Sequence, residues 1–394
     1  MELFPAILIG GPPHMGKSVL AYSLTHTLRE RGVQHYVLRA YPDGEGDWAN
    51  ESDQELVRRI RVKGQGTPLW VDHICRDIAA RHLPLIVDVG GRPTPDQERI
   101  FDCCSHAILL TGDEAAHTAW TAMLARHGLI PLADLHSQRH GPGFVTDTGS
   151  PLRGVITGLE RGTTAAGPTF QALVERVARL FAYDPEELRR SHLTAAPVET
   201  TVDLDRLAHT LGVPFAGEKA IWAPHHLPAV LDYLPENTPL AIYGRGPNWL
   251  YAALTCLTSP APFYQFDVRL GWVSPPTLSL GSSPAAPVQV HRQSRADYTQ
   301  LTFTLPTAYL DYREAQGVVV PPVPPEQGLL LSGKLPLWLW TALAMTYRQA
   351  LWLAVHQPQL GQKAVVVSSH LPGLPPGHLV AASDHWPVQG GESV

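Results

Sequence analysis

The 394-residue chain has little cysteine, only modest charge and no long apolar run. Its four cysteines (Cys75, Cys103, Cys104 and Cys256) form no Cys-x-x-Cys pair and no ladder of spacings. This argues against a disulfide scaffold and a cysteine-based zinc site, and fits a reducing compartment. Charged residues make up 17% and the formal net charge is −6. A protein that coats long nucleic acid through a basic surface is therefore not expected. No window approaches 18 uninterrupted apolar residues, so no membrane-spanning helix is expected. The N-terminus shows no basic segment followed by an apolar core and a cleavage site. These absences together lead to an expected cytoplasmic location.

What is present falls into two halves. Near the start, the apolar run Phe4 to Ile9 leads into Gly11-Pro-Pro-His-Met-Gly16-Lys17-Ser18 and then a helical stripe of Leu20, Leu24 and Leu28. This is Gly-x4-Gly-Lys-Ser between a strand and a helix, where glycines let backbone N–H groups face a phosphate chain. Lys17 would reach the outer phosphates and Ser18 would hold magnesium. The apolar strand Leu83 to Val89 carries Asp88 near its end, where a magnesium-linked carboxylate is expected. ATP with Mg2+ is thus the expected ligand, bound through Gly11, Gly16, Lys17, Ser18 and Asp88, with Ser18 and Asp88 as the metal residues. Further strands at His35 to Ala40, His106 to Thr111 and Leu129 to Leu135 alternate with helices, which predicts a parallel sheet covered on both faces. The acidic loop Tyr41 to Trp48 reads as a surface loop, with an acceptor-binding role as the alternative. A helix is expected at Asp53 to Val62. This order resembles the P-loop ATPase and kinase superfamily over residues 1–183. Residues 184–201 read as a linker with some helical character.

The second half repeats itself. Tyr243-Gly244-Arg245-Gly-Pro247-Asn-Trp249-Leu250 recurs as Ser332-Gly333-Lys334-Leu-Pro336-Leu-Trp338-Leu339, 89 residues later. Phe266-Asp267-Val-Arg269-Leu270-Gly271 recurs as His356-Gln357-Pro-Gln359-Leu360-Gly361, 90 residues later. Such ordered matches imply duplication. In each copy an apolar strand stops at glycine and a base precedes a proline at a helix start, an arrangement suited to an anion. Gly244, Arg245, Gly333 and Lys334 are therefore candidate anion-binding residues. His225 and His226 read as loop histidines, since no third metal ligand can be placed.

The segment Tyr298 to Val380 resembles a single-domain CRISPR ring nuclease, of the small type III-associated family that often travels fused to an AAA-type ATPase. The resemblance rests on Leu305-Pro306-x-x-Tyr309-Leu310, the Gly333-x-x-Pro336-x-Trp338-Leu339 helix start and the Val365-Val366-Val367-Ser368-Ser369-His370 strand. Residues 235–271 look like a more eroded copy. The implied architecture is α/β: an N-terminal P-loop NTPase domain with a parallel sheet, then two tandem α+β ring-nuclease-like domains at 202–290 and 296–385. The resemblance implies binding and cleavage of cyclic tetra-adenylate, with a divalent ion such as Mn2+, by a homo-oligomer. The family's Asp-x-Arg survives in the first copy as Asp267 and Arg269, whereas the second has Gln357 and Gln359. A catalytic His ahead of the Asp is matched in neither copy; Thr258 and Arg348 lie near its places. A composite catalytic site of Asp267, Arg269 and His370 is the resulting expectation. The alternatives are a non-degrading sensor of the same messenger, and a kinase acting on a small molecule or an oligonucleotide, with the tandem half as a dimerisation module.

Overall fold

The computed structural model describes residues 4–40, 67–281, 287–305 and 310–382. The acidic loop at 41–48, the helix expected at 53–62, and Pro306 and Tyr309 lie outside the described residues. The protein is mixed α/β and divides into two compact units, residues 1–190 with 268–271, and residues 191–267 with 272–394.

The first unit is built on a seven-stranded sheet in the order β2-β3-β1-β4-β5-β7-β6. In chain order its elements begin with β1 (Ala6–Gly10), α1 (Lys17–Glu30), β2 (Tyr36–Arg39), α2 (Pro68–Ala79) and β3 (Leu85–Asp88). They continue with α3 (Arg99–Asp102), β4 (His106–Thr111), α4 (Glu114–Arg126) and β5 (Ile130–Gln138). The unit closes with β6 (Phe144–Asp147), β7 (Leu152–Thr157), α5 (Pro168–Leu180) and the start of α6 (Pro185–Thr194). Every residue of β1 is buried, as befits a parallel strand with partners on both sides and helices on both faces. Ile7 and Ile9 join Leu20, Leu24, Leu173 and Val177 in one core. Ala6 and Leu8 join Ile74, Phe101 and Trp120 in the other. The sheet is parallel except where β6 returns antiparallel to β7. That hairpin is absent from the sequence reading, since Phe144–Asp147 is largely exposed and has no apolar alternation.

The second unit holds the repeated segments. Its first elements are β8 (Thr201–Asp203), α7 (Leu204–Thr210), the short pair β9 (Phe215–Ala216) and β10 (Lys219–Ala220), and α8 (Leu227–Tyr233). Next come β11 (Leu240–Tyr243), α9 (Asn248–Thr258), β12 (Phe263–Asp267), β13 (Gly271–Val273) and β14 (Ser279–Leu280). The later part comprises β15 (Gln289–Ser294), β16 (Tyr298–Thr304), β17 (Val319–Val320), β18 (Gly328–Gly333) and α10 (Leu337–Thr346). It ends with β19 (Trp352–His356), β20 (Lys363–Ser369) and β21 (Leu379–Ala381). One sheet runs β13-β12-β11-β8 and the other β15-β16-β18-β19-β20-β21. Matching β8, β11, β12 and β13 with β16, β18, β19 and β20 gives the same spatial order. The pairs β11–β8 and β11–β12 are parallel, as are β16–β18 and β18–β19. Leu240 pairs with Phe263, while Leu329, 89 residues after Leu240, pairs with Leu353, 90 after Phe263. The one-residue slip in the sequence repeat therefore tracks the sheet register and makes Gln357 the counterpart of Asp267.

Helices α9 and α10 pack on each other. Trp249 and Trp338 are fully buried, and Gln265 Oε1 accepts a 2.8 Å hydrogen bond from the buried Thr341 hydroxyl. Pro247 and Pro336 stand one position before the helices, at φ −68° and −57°. Their carbonyls accept the first helical N–H groups, from Leu250 at 3.1 Å and Leu339 at 3.0 Å. The helical character expected in the linker segment is α6, where Asp184 accepts the N–H groups of Glu186 and Glu187 and starts the helix. The two copies lie within one compact unit, where α9 and α10 pack their apolar faces on each other. Replacing Trp338 by Ala should cost about 3–5 kcal/mol, read as a lower denaturant midpoint, whereas Lys334→Ala at an exposed position should fall within about 0.5 kcal/mol.

Candidate functional site

A cavity of about 710 Å3, its described lining all in the first unit, lies over the carboxyl ends of β1, β2 and β3. Its floor is the loop between β1 and α1. The loop takes its course because only glycine fits at its ends. Gly11 has φ 139°, and a Cβ there would lie 1.9 Å from the Leu110 carbonyl oxygen. Gly16 has φ 81°, and a Cβ would meet that of Leu159 at 2.3 Å. Gly91 presses on the loop from β3's side, where a Cβ would approach Pro13 N to 2.3 Å. Lys17 opens α1 and is buried, its Nζ donating to the carbonyls of Gly11 (2.9 Å) and Pro12 (2.8 Å). Lys17 and Ser18 both line the cavity, beside the first N–H groups of a 14-residue helix.

Sheet register places the acid. Ile9 pairs with Asp88, and Asp88 pairs with Arg39, so β1, β3 and β2 end in one row. Asp88 is 7% exposed, and its Oδ2 accepts a 3.1 Å charge-assisted hydrogen bond from Arg39 Nη1. The five sequence candidates Gly11, Gly16, Lys17, Ser18 and Asp88 are thus brought together at the tips of adjacent elements. Arg39, Arg139 and Arg161 on the cavity wall were missed by sequence reasoning. Arg39 carried a readable signal as the last base of a strand; the other two lie in loops without pattern. The residues fit a triphosphate and its metal: a glycine-shaped hollow lined with N–H groups, a buried amine, a hydroxyl, and a buried carboxylate beside them. Among the described residues no group of three His, Cys, Asp or Glu side chains could hold a metal ion by itself. A magnesium here would rely on Ser18, Asp88 and the phosphates.

In the second unit the two glycine turns are alike. Gly244 has φ 109° and Gly333 φ 146°, and a Cβ on Gly333 would lie 2.4 Å from the Phe303 carbonyl oxygen. Arg245 and Lys334 are exposed beside them. The Tyr251 phenol donates to the Gly244 carbonyl at 2.7 Å, and burial, with Asp267, Asp205 and Asp203 nearby, pushes its pKa well above the usual range. Asn248 Nδ2 donates to the His356 carbonyl at 3.1 Å. Since His356 and Gly333 both end parallel neighbouring strands, the Asn248 bond brings the two turns to one edge of the unit. Asp203 and Tyr251 went unnoticed in the sequence, because a capping acid and a buried phenol look like ordinary helix residues there.

The composite site expected from Asp267, Arg269 and His370 is not assembled. Asp267 ends β12, on the same edge as Gly244. His370 comes directly after β20, which runs antiparallel to β19, and its N–H donates to the Leu351 carbonyl. It therefore lies at the start of β19, the opposite end from Gln357; five strand residues separate these ends by about 17 Å. Arg269 groups with the first unit, where its Nε stands 3.3 Å from Oδ2 of Asp77, a carboxylate 1% exposed. Arg76 also reaches Asp77, at 3.1 Å. The guanidinium expected to act on a phosphodiester instead neutralises a buried charge.

Residues 303–381 match the family model of CRISPR-associated protein (Cas_csx3). The chain thus carries a segment similar to a CRISPR-associated protein. The matched stretch begins at the end of β16 and includes β18, α10, β19, β20 and β21. A solved structure, the crystal structure of APE1195, is 18% identical over 36% of this chain and 66% of its own length, at a TM-score of 0.18. The chain therefore spans slightly less than two thirds of that protein, and a likeness at this level carries no argument about the fold. Among the described residues no helix is long and apolar enough to cross a membrane.

Substituting Arg269 by Ala should destabilise the first unit by about 1.5–3 kcal/mol, the scale of a hydrogen bond to a charged group, because the buried Asp77 would lose one guanidinium partner while keeping Arg76. The check is thermal unfolding, and Arg269→Lys should recover part of the loss.

Proposed function

We propose that the chain is a receptor for cyclic tetra-adenylate in type III CRISPR defence, coupled to a nucleoside triphosphate site. The observation that carries this reading is the match of residues 303–381 to a CRISPR-associated family. Two glycine–base turns on one edge of the second unit support it, since a ring of phosphates needs several separated anion contacts. The ligand's phosphates would meet the N–H groups at the starts of α9 and α10 and the side chains of Arg245 and Lys334. Several copies of the chain would enclose the ring, as the family resemblance implies.

Of the two fates for the ring, the geometry favours binding over cleavage. In the second copy Gln357 and Gln359 stand where a carboxylate and a guanidinium are needed. Arg269 is held by Asp77. His370 lies at the far end of β19. Asp267 alone keeps its place beside a glycine turn. In the first unit, Lys17 would turn from the loop carbonyls to the outer phosphates, and Ser18 and Asp88 would hold the Mg2+ that screens them.

The test is equilibrium binding of labelled cyclic tetra-adenylate, followed by product analysis with Mn2+. An Arg245→Ala, Lys334→Ala double variant should weaken binding at least about tenfold, as expected for losing charge-assisted hydrogen bonds, and the bound ring should stay intact. No binding of the ring would overturn the reading, and linear products would restore the nuclease reading. Lys17→Ala should weaken binding of a fluorescent ATP analogue about tenfold to hundredfold while leaving ring binding unchanged.

A further inference from the structure

Among its described lining residues, the cavity of the first unit extends beyond the phosphate loop and Lys17. The loop and Lys17 account for one part of it. Another continues over the ends of β3 and β2, where Arg39, Asp88, Gly90 and Gly91 form the wall. A water nucleophile needs no such extension away from the phosphate loop. Among the described lining residues the carboxylates are Asp88 and Glu160, against Lys17, Arg39, Arg139 and Arg161. Asp88 is paired with Arg39 and Glu160 with Arg139, at 3.1 and 3.0 Å. Among the described lining residues bases thus outnumber acids, beyond the lysine that serves the donor's phosphates.

We propose that the first unit is a phosphotransferase, with Arg39 anchoring the phosphate of an acceptor that also carries a hydroxyl. Arg39 is suited to this. It is fixed in register beside Asp88 on the neighbouring strand, its side chain is 17% exposed, and its planar fork can grip a phosphate while it remains next to the carboxylate. An acceptor held there lies at the end of the row that β1 continues to the phosphate loop. Its hydroxyl oxygen attacks the γ-phosphorus of the nucleoside triphosphate and forms the new P–O bond. The bond from the γ-phosphorus to the β–γ bridging oxygen breaks, and its electron pair leaves with the nucleoside diphosphate. The hydroxyl proton passes to solvent. The acceptor class is a ribose hydroxyl close to a phosphate, as found at the 5′-hydroxyl end of a short oligoadenylate or in a 3′-mononucleotide.

This inference rests on the nucleotide reading of the loop, so both are measured on the full chain. One assay follows anisotropy of a fluorescent ATP analogue. The other follows label from γ-labelled ATP with Mg2+, offered linear tetra-adenylate with a free 5′-hydroxyl or adenosine 3′-monophosphate. The expected result is a labelled acceptor, and the preferred probe identifies whether oligonucleotide or mononucleotide is the natural source. Arg39→Ala should raise the acceptor KM at least about tenfold, the scale of a lost charge-assisted hydrogen bond, and by clearly more than it weakens analogue binding, which also feels the loss of the partner of Asp88. Arg39→Lys should recover part of that loss. If the analogue binds but label appears only as inorganic phosphate, the transferase inference fails and the nucleotide reading survives. Equal loss of analogue binding and transfer in both Arg39 variants also overturns the acceptor role. If the analogue does not bind, both readings fail.

Discussion

The first unit depends on a constraint imposed by β1. A strand with every residue buried and a partner on each side can meet solvent only at its ends. Its carboxyl end must then turn sharply to reach α1 on one face of the sheet. The turn passes so close to the Leu110 carbonyl and to Leu159 that side chains are excluded at two positions. Bare backbone N–H groups at a helix start are the outcome, and β3 and β2 set Asp88 and Arg39 alongside them by register alone. Chemistry collects at this edge because the rest of the strand has no room for it.

The same constraint operates twice in the second unit, at β11 and β18, and both times ends in a glycine with positive φ, a base and a proline. The two copies keep this scaffold while diverging at the ends of their next strands. Packing holds the tryptophans and the Gln265–Thr341 bond in place, because any change there opens a cavity or strands a buried polar group. The ends of β12 and β19 have diverged instead. One copy has Asp267 there and the other Gln357, and Arg269 has been drawn into neutralising Asp77.

Local pattern carried a large part of this architecture. The strand–loop–helix around Lys17 and the correspondence of Asp267 with Gln357 were legible because glycine, proline and apolar periodicity respond to backbone geometry. The β6 half of the β6–β7 hairpin was not, because it is largely exposed and lacks alternation. The failure of the composite site was equally hidden. Whether Arg269 faces a ligand or a buried Asp77, nearly two hundred positions earlier, is decided by tertiary placement. His370 misled for another reason: the direction of β20 relative to β19 determines which end of the sheet it reaches, and a strand's sequence does not state its direction.

The α9–α10 contact has one more consequence. It joins segments about ninety positions apart, so chain closure must precede its formation. During synthesis, the apolar flank of α9 emerges well before its mate exists. Until translation delivers α10, that flank is an exposed sticky surface, the kind on which chaperones act and on which a truncated product would aggregate.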